Sequence, residues 1–81
     1  MTDTAARVRS LISEYAGISI QQLADEARFD DIGFDSLDRL ELTMALEEEF
    51  SIEVADDKIE LVNTIGEAVG LVERELSQGR G

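Results

Sequence analysis

Ser36 is the side chain with the clearest chemical potential, set between Asp35 and Asp38 with Asp30 and Asp31 shortly before it. A serine hydroxyl becomes a nucleophile only when a base takes its proton, and the chain has no histidine to supply an imidazole. It has no cysteine either, which removes disulfides, a Cys/His zinc cluster and a catalytic thiol. The four aspartates suggest a calcium loop, but their spacing fails. Counting from Asp31, the third and fifth positions fall on Gly33 and Asp35. The sixth is Ser36 where glycine is required, and the twelfth is Leu42 where a bidentate glutamate belongs. A structural role for Ser36 is also open, since either Asp35 or Ser36 can cap a helix by accepting backbone hydrogen bonds.

Positioning that serine requires a helix start and a loop that delivers the chain to it. Val8, Leu11, Ile12 and Tyr15 recur at one-face helical spacing over residues 5–16, and Gly17 is a natural stop. Residues 18–35 lose the periodicity but contain Ile18, Ile20, Leu23, Phe29, Ile32 and Phe34. A connection of that length is uncommon without structure or function, so it is expected to pack on the core. Gly33 can take the positive φ that turns the chain into a second helix over 36–50. A short helical turn is expected around 58–61, introduced by Asp56 and Asp57. Thr64 and Glu67 form a capping-box pattern ahead of a last helix carrying Ile65, Ala68, Val69, Val72 and Leu76, which frays over residues 77–81. Gly66 and Gly70 inside that helix each cost up to about 1 kcal/mol against alanine, and close approach of a neighbouring helix would compensate. The expectation is an all-α fold: a small four-helix bundle with three longer helices, one short helix and a long first loop, forming a single domain over 1–81.

The second helix carries two apolar faces. At 100° per residue Leu42, Leu46 and Phe50 fall together on a face suited to the core. Leu37, Leu40 and Met44 fall on another side, close to Glu41, Glu47 and Glu48 with Asp38 a little further round. Apolar residues rimmed by acids suit transient docking, with contact for affinity and charge for steering.

Composition narrows the partners. Nineteen acidic residues against seven basic ones give a net charge of −12, which repels nucleic acid and anionic headgroups and favours basic protein surfaces. An acidic mimic of nucleic acid would share that charge but leave the setting of Ser36 unexplained. The amino-terminal residues show no basic segment followed by an apolar core, and no apolar run approaches spanning length. A cytoplasmic monomer without membrane insertion is expected.

The stretch Gly33-Phe34-Asp35-Ser36-Leu37-Asp38, followed by Leu40-Glu41-Leu42 and Met44-Ala45-Leu46-Glu47-Glu48-Glu49-Phe50, closely resembles the acyl carrier proteins of fatty acid and polyketide synthesis. Asp-Ser-Leu alone is a weak signal, but its place at the start of an acidic helix in a short all-α chain is specific. The resemblance implies that Ser36 bears a covalent 4′-phosphopantetheine arm from coenzyme A and carries acyl groups as thioesters. With no base of its own, Ser36 reads as the substrate of a separate Mg²⁺-dependent phosphopantetheinyl transferase, and the chain as a non-catalytic carrier without a metal. The resemblance further implies that Asp35 and Asp38 meet basic residues of that transferase. It places Glu41, Met44, Glu47, Glu48 and Asp56 on the face that docks acyl-processing enzymes such as synthases, reductases and acyltransferases, and makes Leu46, Phe50, Val62 and Ala68 an interior acyl pocket.

Three features depart from the common pattern. Phe29-Asp30-Asp31-Ile32-Gly33 has two residues between the aromatic and the apolar-Gly pair, a spacing similar to that of polyketide and other specialised carriers. Ala55 stands where many relatives have proline, leaving that loop less restricted in the unfolded chain. Arg39 lies near the Leu42, Leu46 and Phe50 face, where relatives often carry a small residue; it is expected to narrow or polarise the pocket entrance, or to lower local negative charge. A peptidyl carrier would more commonly lead into the serine with glycines than with Phe34-Asp35.

Overall fold

The computed structural model describes residues 4–79. Four α-helices follow in order: α1 Thr4–Ala16, α2 Ser36–Phe50, α3 Asp56–Glu60 and α4 Ile65–Gly79, with 3₁₀ turns at Ile20–Gln22 and Phe29–Ile32 in the long α1–α2 connection. The expected all-α bundle of three longer helices and one short one is the fold.

Local chemistry sets the boundaries. Gly17, at φ +74°, ends α1 and its N–H donates to the Ser13 carbonyl at 2.8 Å. Gly33, at φ +83°, terminates the second 3₁₀ turn, so the positive φ expected there is present. At α4 the capping box forms in full: Glu67 N–H donates to Thr64 Oγ1 (3.2 Å), while Glu67 Oε1 accepts from Thr64 N–H (3.3 Å) and Asn63 N–H (2.7 Å). Two boundaries differ from the sequence reading. The short helix begins at Asp56 because the Ala55 carbonyl takes the N–H groups of Lys58 and Ile59; Leu61 lies beyond it, 77% exposed. The last helix continues through Gly79 where fraying was expected from Ser77, and residues 80–81 lie outside the described part.

One apolar cluster holds the helices together. Val8 and Ile12 of α1, Leu42, Leu46 and Phe50 of α2, and Ile65, Ala68, Val69, Leu71 and Val72 of α4 meet Leu23, Phe29, Phe34, Val54 and Val62 from the connections. The 18–35 connection therefore packs as part of the core. It is also stitched to the segment ahead of α4: Phe29 N–H donates to Asn63 O (2.9 Å), Ile65 N–H to Ala27 O (3.0 Å) and Gly66 N–H to Asp25 O (2.9 Å), with an antiparallel bridge between Arg28 and Thr64. These bonds satisfy backbone groups that a buried loop would otherwise strand.

The two interior glycines separate. A Cβ on Gly66 would come within 3.2 Å of Asp25 Cβ and 3.3 Å of its carbonyl oxygen, so the close neighbour is the long connection and not a helix. A Cβ on Gly70 would meet nothing within 4 Å, and the expected compensation is absent there. Tyr15 also departs from expectation. Placed on the core-facing stripe of the first helix, it is 42% exposed, while α1 buries its face through Val8 and Ile12 and its last turn packs on the core through Ala16.

Candidate functional site at the start of the second helix

Asp35, with extended backbone, caps α2: its Oδ1 accepts from Asp38 N–H at 2.9 Å, and Asp38 Oδ2 accepts from Asp35 N–H at 3.2 Å. This reciprocal pair resolves the choice left open by the sequence. Asp35 is the cap and Ser36 is the first helical residue, exposed, its hydroxyl without a hydrogen-bond partner among the described residues. The N–H groups of Ser36 and Leu37 also lack partners among them, as the geometry of a helix start requires. A free hydroxyl beside free N–H donors and the positive end of the helix dipole suits a covalently attached phosphate, worth about 0.3–1 kcal/mol. The Asp35 and Asp38 carboxylates act in the opposite sense, since they crowd the same helix end with negative charge.

Beside Ser36 lies a depression of about 250 Å³ lined by Ser36, Arg39, Leu40, Ile59 and Glu60. It opens between α2 and α3, with apolar walls from Leu40 and Ile59 and a charged group on either side. Leu46, Phe50, Val62 and Ala68 do not line it; all four are buried in the core, and Val62 also borders a separate surface depression with Leu61 and Leu71. Arg39 stands between the two regions. Its Nη1 donates to the Val62 carbonyl at 2.7 Å and its guanidinium lies 5.2 Å from the centroid of the Phe29 ring. Arg39 thus shields the core side of the depression.

The second apolar face of α2 remains outside the core: Leu37 is 61%, Leu40 50% and Met44 58% exposed. Glu41 and Glu48 are exposed beside them. Glu47 is half-buried, and its Oε2 accepts from Val54 N–H at 2.8 Å, which anchors the segment after α2. The side chain of Asp56 lies outside the described residues. Sequence reasoning missed Tyr15 here: it shares a surface groove with Glu41, Met44, Ala45, Glu47 and Glu48. An aromatic ring with a polar tip at the end of a helix stripe was the available signal.

No group of three or more carboxylates converges among the described residues as a metal ion would need, and none of their helices is long and apolar enough to cross a membrane.

Residues 6–72 match the profile of the family described as "Phosphopantetheine attachment site". The fold is similar to an acyl carrier protein from Thermotoga maritima, at 27% identity and a TM-score of 0.78 over 90% of this chain and 86% of that one. It is also similar to the hexanoyl form of the carrier from the actinorhodin polyketide synthase of Streptomyces coelicolor, at 29% identity and a TM-score of 0.77 over 88% of this chain and 87% of that one.

Proposed function

Since this chain belongs to the phosphopantetheine-attachment family and has the acyl carrier fold, we propose that Ser36 is its attachment point. The loaded protein delivers acyl intermediates to enzymes of fatty acid, polyketide or related specialised lipid biosynthesis. The observation that carries this reading is the state of Ser36: exposed, unpartnered among the described residues, and relieved of capping duty by Asp35. A serine needed as the cap would be tied to the helix it starts.

The residues divide the work. With no histidine in the chain and the neighbouring Asp35 and Asp38 carboxylates bonded to backbone N–H groups, the Ser36 hydroxyl waits for a transferase that brings both the base and coenzyme A. The bare N–H groups of Ser36 and Leu37 receive the phosphate oxygens. Asp35 and Asp38 fix the helix start and present negative charge to a basic transferase surface. The arm supplies the terminal thiol that this cysteine-free chain lacks. Leu37, Leu40 and Met44, with Tyr15 beside Met44, give partner enzymes an apolar contact, and Glu41 and Glu48 orient them through charge. The actinorhodin carrier belongs to a polyketide synthase, and the short Phe29–Gly33 spacing favours a specialised pathway of that kind.

The test is intact-mass analysis after incubation with coenzyme A, Mg²⁺ and a broad-specificity transferase. One phosphopantetheine increment on the wild type and none on a folded Ser36→Ala variant is the expected result. An increment retained by Ser36→Ala would move the attachment elsewhere.

A further inference from the structure

The buried face of α2 runs Leu42, Leu46, Phe50, and Arg39 stands one turn ahead of Leu42 at the end nearest Ser36. Its side chain lines the depression beside Ser36 and also touches the core residues Phe29 and Val62. Its backbone is held too, since the hydroxyl of the buried Thr43 donates to the Arg39 carbonyl at 2.8 Å. From this anchored position the guanidinium spans from α2 to the segment between α3 and α4, bonding the Val62 carbonyl and covering the Phe29 ring.

We propose that Arg39 is a latch that closes the core to the acyl chain, so that cargo rests in the surface depression between α2 and α3 instead of entering the bundle. The proposal rests on Ser36 being the attachment site. A chain folded back on its arm and entering the core from the Ser36 end of α2 would have to displace the guanidinium. That strips the Val62 carbonyl of its charged donor and forfeits the contact with Phe29, both costly in a low-dielectric setting. The depression demands no such exchange, since Leu40 and Ile59 already offer apolar walls. Arg39 therefore sets cargo preference: short acyl groups are accommodated beside Ser36, while longer ones stay exposed to partner enzymes and gain no shelter.

The experiment loads the full chain from butyryl-, hexanoyl-, octanoyl- and decanoyl-coenzyme A, verifies each product by intact mass, and measures its melting temperature. Each methylene taken into the core adds stability, so chain-length dependence reports entry. Wild type is expected to gain at most a little between the short members of the series, which the depression accommodates, and nothing for the longer ones. Arg39→Met, which keeps an apolar stem and removes the latch, is expected to rise stepwise by several degrees. A rise in wild type equal to that in Arg39→Met, or no rise in either, overturns the latch. Absence of loading is seen at the mass step and overturns the Ser36 reading itself. Should Arg39→Met fail to fold, Arg39→Lys carries the test, because it keeps a donor but loses the planar contact with Phe29. A steeper dependence than wild type supports the latch, and an equal one overturns it.

Discussion

Asp35 has two duties that substitution can separate. As the cap it needs only a side-chain oxygen, which asparagine provides as well as aspartate, whereas alanine costs about 1 kcal/mol. As a recognition element for a basic transferase it needs the charge. Asp35→Asn is therefore expected to leave the denaturation midpoint close to wild type, with Asp35→Ala clearly lower, while both take up phosphopantetheine several-fold more slowly. Wild-type loading by Asp35→Asn would mean that the carboxylate serves the helix alone. The duality follows from the reciprocal bonds with Asp38: the charges nearest Ser36 are also the groups that define where its helix begins.

Helix α4 carries two interior glycines one turn apart, Gly66 and Gly70, and their surroundings set opposite expectations. Gly70 has open space where a side chain would project, so Gly70→Ala should stabilise the fold by about 0.5–1 kcal/mol, the ordinary gain in helix propensity. Gly66 faces Asp25, which is fixed by the bond from Gly66 N–H to its carbonyl and by an ion pair with Arg9. There Gly66→Ala should bring no gain, because the connection must shift by a few tenths of an ångström. Urea denaturation of the two variants side by side checks both expectations. A different strain marks the end of α2, where Ser51 takes the left-handed conformation at φ +56°, which a non-glycine residue adopts only at a cost.

Across the whole molecule, charge opposes compaction. Arg7 pairs with Glu49 at 2.6 Å and Lys58 with Glu75 at 2.9 Å, and Arg9 pairs with Asp25, while Arg39 bonds a carbonyl. Against nineteen acidic residues in the chain, these contacts leave most carboxylates repelling one another. The radius of gyration is nevertheless 11.6 Å, close to the roughly 12 Å of a folded chain of this length, so the apolar cluster prevails over the repulsion. Screening should relieve it: the melting temperature is expected to climb as NaCl is raised from low ionic strength, with divalent cations acting at lower concentration. A melting temperature indifferent to salt would show that these charges are too well hydrated to matter.

The sequence by itself determined the helices, the two faces of α2 and the candidate serine, because each is encoded locally. Apolar periodicity marks α1, α2 and α4; Gly17 and Gly33 mark turns that need positive φ; Thr64 and Glu67 mark a cap; and Asp-Ser-Leu at the head of an acidic helix marks Ser36. Tertiary structure decided what depends on partners distant in the chain. Asp35 and Ser36 were equivalent as caps on residue type, and backbone geometry selected Asp35. Tyr15 fits a buried stripe by spacing, but the last turn of α1 packs on the core through Ala16 and leaves Tyr15 exposed. Gly66 and Gly70 look alike in sequence, yet only one faces Asp25. Arg39 was legible as an oddity near the core face, but its role depends on Val62 and Phe29. Those residues reach it only because the long connection and the α3–α4 segment are stitched together beside α2.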